Sequence, residues 1–151
     1  MNIFEEKLKI NNIDNISITG LTNQLISFCV NGIFEDYNRN IIIVTNSLYE
    51  ANMMYSSLSK LNDTTYLFPM DDFLTSEALA ISPELKSIRL NTLNSLSKNE
   101  KSIVITNLMG YLRYLPTKSL WRKSEITIKK GMEINKDNLC TNLINIGYLT
   151  E

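Results

Sequence analysis

Apolar positions along the chain alternate between two periods. Short β-branched runs near residues 15–19, 40–45, 64–68 and 102–106 are separated by stretches whose apolar residues recur every three or four positions, near 22–37, 47–60 and 83–97. Strands alternating with helices predict an α/β domain, a parallel sheet with helices laid on its faces in three layers. The runs 40–45 and 102–106 are almost unbroken apolar stretches without polar alternation, the pattern of parallel strands covered on both faces, so both are expected deep in the sheet. The stretch from Thr22 to Tyr37 places Leu25, Phe28, Cys29, Ile33 and Phe34 on one side and Ile26 and Val30 on another, with no charge before Glu35. It is expected to be the most buried helix. Ser82-Pro83-Glu84 combines a capping serine, a proline suited to the first helical position and a carboxylate near the positive helix end, and Leu85, Ile88, Leu93 and Leu96 then point one way.

The pattern changes after Leu112–Pro116. Residues 125–131 alternate apolar and charged side chains, which predicts a half-exposed strand, and a helix should follow from Lys136 with Asn135 as its cap, Leu139, Leu143 and Ile146 inward and Gly147 as its stop. The chain therefore reads as an α/β domain over 1–117 followed by the beginning of a smaller α+β domain over 118–151, a unit too short to bury a core of its own.

Composition narrows the chemistry. A chain of 151 residues, 44% hydrophobic and 21% charged, has the make-up of an ordinary globular domain, and its apolar runs are far shorter than the roughly 20 residues of a membrane span. The opening MNIFEEKLKI has acidic residues where a signal peptide is basic, so a cytoplasmic location and no membrane partner are expected. There is no histidine, which removes imidazole bases, Ser-His-Asp and Cys-His catalysis and every His-containing zinc site. Cys29 and Cys140 sit at apolar helical positions, match no paired-cysteine motif and read as buried free thiols, and no metal site is expected. The net charge of −1 hides a gradient: residues 1–80 carry 4 basic and 10 acidic side chains, residues 81–151 carry 11 and 6. Solvated faces or two distinct surfaces would both produce it.

The expected strand at 15–19 leads into Gly20-Leu21-Thr22-Asn23-Gln24-Leu25-Ile26-Ser27 and a helix, the context of a phosphate-binding loop of the form GxxxxGK[ST]. Gly20 and Ser27 hold the outer positions. Leu25 replaces the second glycine and adds a side chain where phosphate must approach backbone; Ile26 replaces the lysine and removes the charge. The spacing fits either a degenerate remnant of that loop or an ordinary helix entrance. The strand 102–106 ends in Asn107-Leu108 rather than in a magnesium-binding carboxylate, and Asp71-Asp72 reads as an exposed loop, so no catalytic residue is assigned.

Five segments follow one another in a recognisable order: IleThrGlyLeuThr at 18–22, IleIleIleValThrAsnSerLeuTyrGluAla at 41–51, PheProMetAspAsp at 68–72, SerProGluLeuLysSerIleArgLeu at 82–90 and ThrIleLysLysGlyMetGluIle at 127–134. In order and spacing the chain resembles the N-terminal region of the bacterial transcription-repair coupling factor family, Mfd. The resemblance covers nearly the whole chain. It implies a module similar to the excision-repair protein UvrB, with a degenerate P-loop, helicase-like first domain and an inserted second domain that binds UvrA. In that family the module has lost its ATPase, in keeping with Leu25 and Ile26. No cofactor is then expected for these residues, ATP and Mg²⁺ serving the translocase motor of the longer protein. RNA polymerase and DNA are expected to meet other parts of that protein, and UvrA to meet strands of the completed second domain beyond Glu151. The segment Thr45–Ala51 stands where related helicases contact the DNA backbone, but lacks the basic residue often found there. The dozen residues between Pro69 and Ser82 are too few for UvrB's damage-clamping hairpin.

Three functions follow as expectations. The first is a non-catalytic module that helps recruit UvrA to stalled RNA polymerase. The second is a nucleotide-binding enzyme fragment with an atypical loop, drawing charge from Arg39, Lys60, Arg89 or Arg113. The third is a nucleic-acid-binding module that uses Arg113, Lys118, Arg122, Lys123, Lys129 and Lys130 with Trp121 and Tyr111 or Tyr114 as stacking partners. Those same aromatics would equally serve packing.

Overall fold

A computed structural model of the chain describes residues 17–37, 39–72, 82–98, 101–146 and 148. Three strands, β1 (Ile41–Thr45), β2 (Thr65–Phe68) and β3 (Ile103–Asn107), form a parallel sheet in the order β1-β3-β2. The register sets Ile41, Ile103 and Thr65 in one row and Ile43, Ile105 and Leu67 in the next. Helices α1 (Asn23–Asp36) and α2 (Leu48–Leu58) cover that face, where Phe34, Ala51 and Leu58 meet Leu67, Ile103 and Ile105. Each fully buried isoleucine there contributes on the order of 1.5–3 kcal/mol. Helix α3 (Pro83–Ser97) runs beside β2, tied to it by Thr92 Oγ1, which donates to Leu67 O at 2.6 Å. This is the α/β class that the alternating pattern predicts.

The helix signals act largely as read. Thr22 caps α1 by accepting from Leu25 N at 3.4 Å. Ser47 caps α2 by accepting from Glu50 N at 3.2 Å, and Glu50 Oε2 reaches back to Asn46 N at 3.1 Å, a capping box shifted by one residue. α3 begins at Pro83 as expected, yet Ser82 makes no side-chain cap bond. Pro83 has no N–H to satisfy and Glu84 complements the helix dipole, so the start does not depend on the serine.

Several expectations are corrected. Of the two runs assigned to the middle of the sheet, only β3 is buried along all five residues. β1 pairs with β3 alone among the described residues, and its outer face leaves Ile42 62% and Val44 42% exposed. An unbroken apolar run looks the same whether one face or two are covered. α1 is the most buried of the described helices, as expected, with Ser27, Cys29 and Phe34 inside, but Phe28, read on its apolar side, is 53% exposed. In the expected strand at 15–19, Asn15 and Ile16 lie outside the described residues and Ser17–Thr19 form no strand.

β3 passes directly into a short helix, α4 (Leu108–Tyr111), which the pattern did not announce. Gly110 makes this possible. A Cβ there would lie 2.3 Å from Thr106 Oγ1 and 3.1 Å from Phe68 O, so only glycine lets the helix start so tightly against the strand ends.

The chain divides into two compact units, 1–114 and 115–151. The second contains α5 (Lys118–Lys123), capped by Thr117, and α6 (Lys136–Asn145), where Asn135 Oδ1 accepts from Asp137 N and Asn138 N as its position predicts. The expected strand at 125–131 does not form; residues 125–129 are irregular and Gly131 turns the chain at φ +85°. Alternation makes a segment fit for a sheet, but a strand needs a partner, and no described residue of this unit supplies one. None of the unit's described residues is buried, so Cys140, expected inside, is an exposed thiol, whereas Cys29 on α1 is buried as expected. Gly147 lies outside the described residues. No described helix is long and apolar enough to cross a membrane.

Candidate functional site

Parallel strands bring all their carboxyl ends to one edge, and open α/β sheets hold ligands there. The candidate loop around Gly20 can be compared directly with what phosphate binding requires. Gly20 has φ +80°, a conformation suited to glycine, and nothing lies within 4 Å of where its Cβ would be. Ser27, in the place of the magnesium-binding hydroxyl, is only 1% exposed. Its Oγ donates to Asn23 O at 3.1 Å and lies 3.6 Å from Met54 Sδ, so the hydroxyl serves the α1–α2 contact. Leu25 and Ile26 are half-buried, and the Leu25 N–H, one of those that would cradle phosphate, is taken by the Thr22 cap.

The rest of the edge is filled from within. Asn107, fully buried at the end of β3, accepts from Met70 N at 3.1 Å through Oδ1, while its Nδ2 donates to Met70 O at 2.7 Å and to Asp72 Oδ1 at 2.6 Å. Both oxygens of Asp72 accept from Leu48 N, at 2.9 and 3.0 Å, the first N–H of α2. A carboxylate at a helix N-terminus is favourable by charge as well as by hydrogen bonding. At the N-terminus of α2, Asp72 thus takes the Leu48 N–H and Ser47 the Glu50 N–H, while Glu50 takes the N–H of Asn46 just before the cap. The exposed Asp72 is no idle loop residue, and Asn107 is more than a missing carboxylate. Sequence reading passed over this pair because it joins residues 35 positions apart. One signal was available: each polar residue follows a predicted strand, where neighbouring parallel strands end together.

The candidate cations separate by position. Arg39 precedes β1 and stacks over Tyr37 at 5.1 Å, and Lys60 follows α2; topology puts both at the opposite, amino edge. Arg89 belongs to the carboxyl edge, where its Nη1 donates to Pro69 O at 2.9 Å. Burial lowers the Arg89 pKa from its ordinary value, the Asp71 carboxylate raises it and the Arg113 charge lowers it. Arg113 is exposed just after α4 in the first unit, whereas Lys118, Arg122 and Lys123 are exposed on α5 in the second.

Comparison with known proteins follows the same lines. A transcription-repair-coupling factor of Staphylococcus epidermidis is 30% identical over 99% of this chain. The chain resembles transcription-repair-coupling factors along nearly its whole length. Those of Staphylococcus haemolyticus and Bacillus subtilis are 30% and 29% identical over 91% and 87% of it. The resemblance read from the five segments is borne out. The chain spans only 11–13% of the length of these coupling factors. No family model matches the chain, and no solved structure matches it significantly.

Proposed function

We propose that this chain is a non-catalytic module of a transcription-repair coupling factor, acting in transcription-coupled nucleotide excision repair by helping to recruit UvrA to stalled RNA polymerase. Similarity to coupling factors supports the process. The observation that carries the non-catalytic reading is the carboxyl edge closed by Asn107, Asp72 and the Leu48 N–H. A helicase-like ATPase needs free backbone N–H groups, a lysine and a magnesium-binding carboxylate at this edge. Here the side chains at the glycine and lysine positions are Leu25 and Ile26, the Ser27 hydroxyl is buried, and β3 ends in an amide. In this reading the first unit is a UvrB-like, helicase-derived domain, and residues 118–151 belong to the second, UvrA-binding type of domain. ATP, Mg²⁺, RNA polymerase and DNA engage other parts of the longer coupling factor.

Two measurements test the two halves of this reading. Thermal unfolding in millimolar Mg-ATP or Mg-ADP is expected to be unchanged; a saturable shift, which reaches about 2.7 kcal/mol at a hundredfold excess over Kd, would overturn the non-catalytic half. In a pull-down, UvrA is expected to bind weakly or not at all to residues 1–151 and firmly to a chain extended through the whole second domain. Failure of the extended chain to retain UvrA removes the recruitment half.

A further inference from the structure

The carboxyl edge carries a second set of groups that the recruitment reading leaves unused. Arg89 reaches from the middle of α3 to the end of β2, where its bond to Pro69 O fixes the guanidinium at the strand end. Arg113 lies just after α4, the short helix that continues β3 at the same edge of the sheet. Its N–H donates to Gly110 O at 3.3 Å, and Gly110 is packed so closely that a Cβ would stand 3.1 Å from Phe68 O. Phe68 and Pro69 are consecutive, so the segment that leads to Arg113 passes close to the strand end whose Pro69 O accepts from Arg89. The electrostatic influence of Arg113 on Arg89 agrees with that placement, and Asp71 is the carboxylate that faces Arg89. Around Arg113 the chain exposes aromatic surface: Tyr111 is 59% exposed and Tyr114 fully so.

Like charges held together in a folded protein repel, and aromatic rings left in water forgo burial; a partner that is anionic and carries flat apolar faces relieves both. Nucleic acid with unpaired bases has that composition. An acidic peptide matches the charges but has no regular use for the rings.

We infer that Arg89, Arg113, Tyr111 and Tyr114 form a docking surface for single-stranded nucleic acid, the guanidinium groups pairing with phosphates and the tyrosine rings stacking on bases. The surface lies wholly in the first unit and is independent of UvrA recruitment. It differs from a nucleotide site because it needs neither the Gly20 loop nor Mg²⁺.

The test is fluorescence anisotropy of a labelled oligothymidylate of roughly 15 nucleotides titrated with the whole chain. Affinity is expected to fall steeply between about 50 and about 200 mM salt. Arg113→Gln should flatten the dependence of log K on log salt by about 0.7, the share of one phosphate contact on a single strand. Tyr114→Ala should weaken binding about tenfold. Both side chains are exposed, so both variants should melt with the parent, which a thermal scan confirms. A triple change of Lys118, Arg122 and Lys123 to glutamine should leave the Arg113 and Tyr114 effects in place. Four results would each overturn the inference: no binding at low salt, unchanged affinity in both single variants, loss confined to the triple variant, or polyglutamate binding that equals DNA binding and ignores Tyr114→Ala.

Discussion

Changing Asn107 is the most direct probe of how the carboxyl edge is held. The buried amide makes three bonds, two to Met70 and one to Asp72, and Asp72 in turn holds the first N–H of α2. Asn107→Leu keeps the bulk and removes all three. Orphaning a buried polar group costs about 1–3 kcal/mol; Met70 is only half-buried and Asp72 exposed, so water recovers part of the loss at both. The expected destabilisation is about 2–4 kcal/mol, or roughly 5–15 °C in Tm for a chain of this size. Asn107→Asp is the sharper variant, because it keeps the shape, turns two donated bonds into oxygen facing oxygen, and sets a second carboxylate beside Asp72. Burial and the neighbouring charge raise the folded-state pKa of an aspartate there above its unfolded value. Its penalty is therefore full above that raised pKa and shrinks as pH falls through it, ending near the unfolded value of about 3.9. Urea unfolding of the three chains between neutral pH and pH 4 gives both numbers. A cost below about 1 kcal/mol for both variants at pH 7, or an Asn107→Asp penalty that grows on acidification, would refute the network as described.

Two further changes test other joints. Gly110→Ala drives a methyl into Thr106 Oγ1 and against Phe68 O, and should cost about 1–3 kcal/mol in thermal unfolding; a loss under about 0.5 kcal/mol would mean that α4 does not sit as closely on the strand ends. Lys101 Nζ donates to Phe34 O in the last turn of α1 and lies 4.2 Å from the centre of the Phe34 ring. Lys101→Met removes a cation from a helix C-terminus and should cost about 0.5–2 kcal/mol, with a smaller cost at high salt; equal losses at low and high salt would assign the effect to packing instead.

Local signals were legible where a single turn of helix decides the outcome. Pro83 marks the start of α3 and Asn135 the cap of α6, because the groups each one satisfies or spares lie within a few residues. What the sequence could not show is anything settled by a partner far along the chain. Ile41–Val44 reads alike for an edge strand and a central one; residues 125–131 have strand alternation but no described neighbour to pair with. At the candidate site the losses at Leu25 and Ile26 were visible as residue types. The direction of the Ser27 hydroxyl was not, since Met54 that receives it lies 27 positions away. Asn107 and Asp72 were each visible, but their bond appears only when β2 and β3 are set side by side.

The internal closure of this edge bears on what the module can transmit. In a nucleotide-driven helicase domain the phosphate is a removable partner for loop and helix N–H groups, and its departure biases the domain between two states. Here Asp72 holds the Leu48 N–H and Thr22 holds the Leu25 N–H, both covalently part of the chain and never released. A ligand can shift an equilibrium only by binding one state better than the other, so an edge that has supplied its own anion offers nucleotide little leverage. In the proposed reading, a module built this way presents the same surface in every nucleotide state of the coupling factor's motor. On that reading, control over when a partner docks comes from covering and uncovering that surface, not from reshaping it.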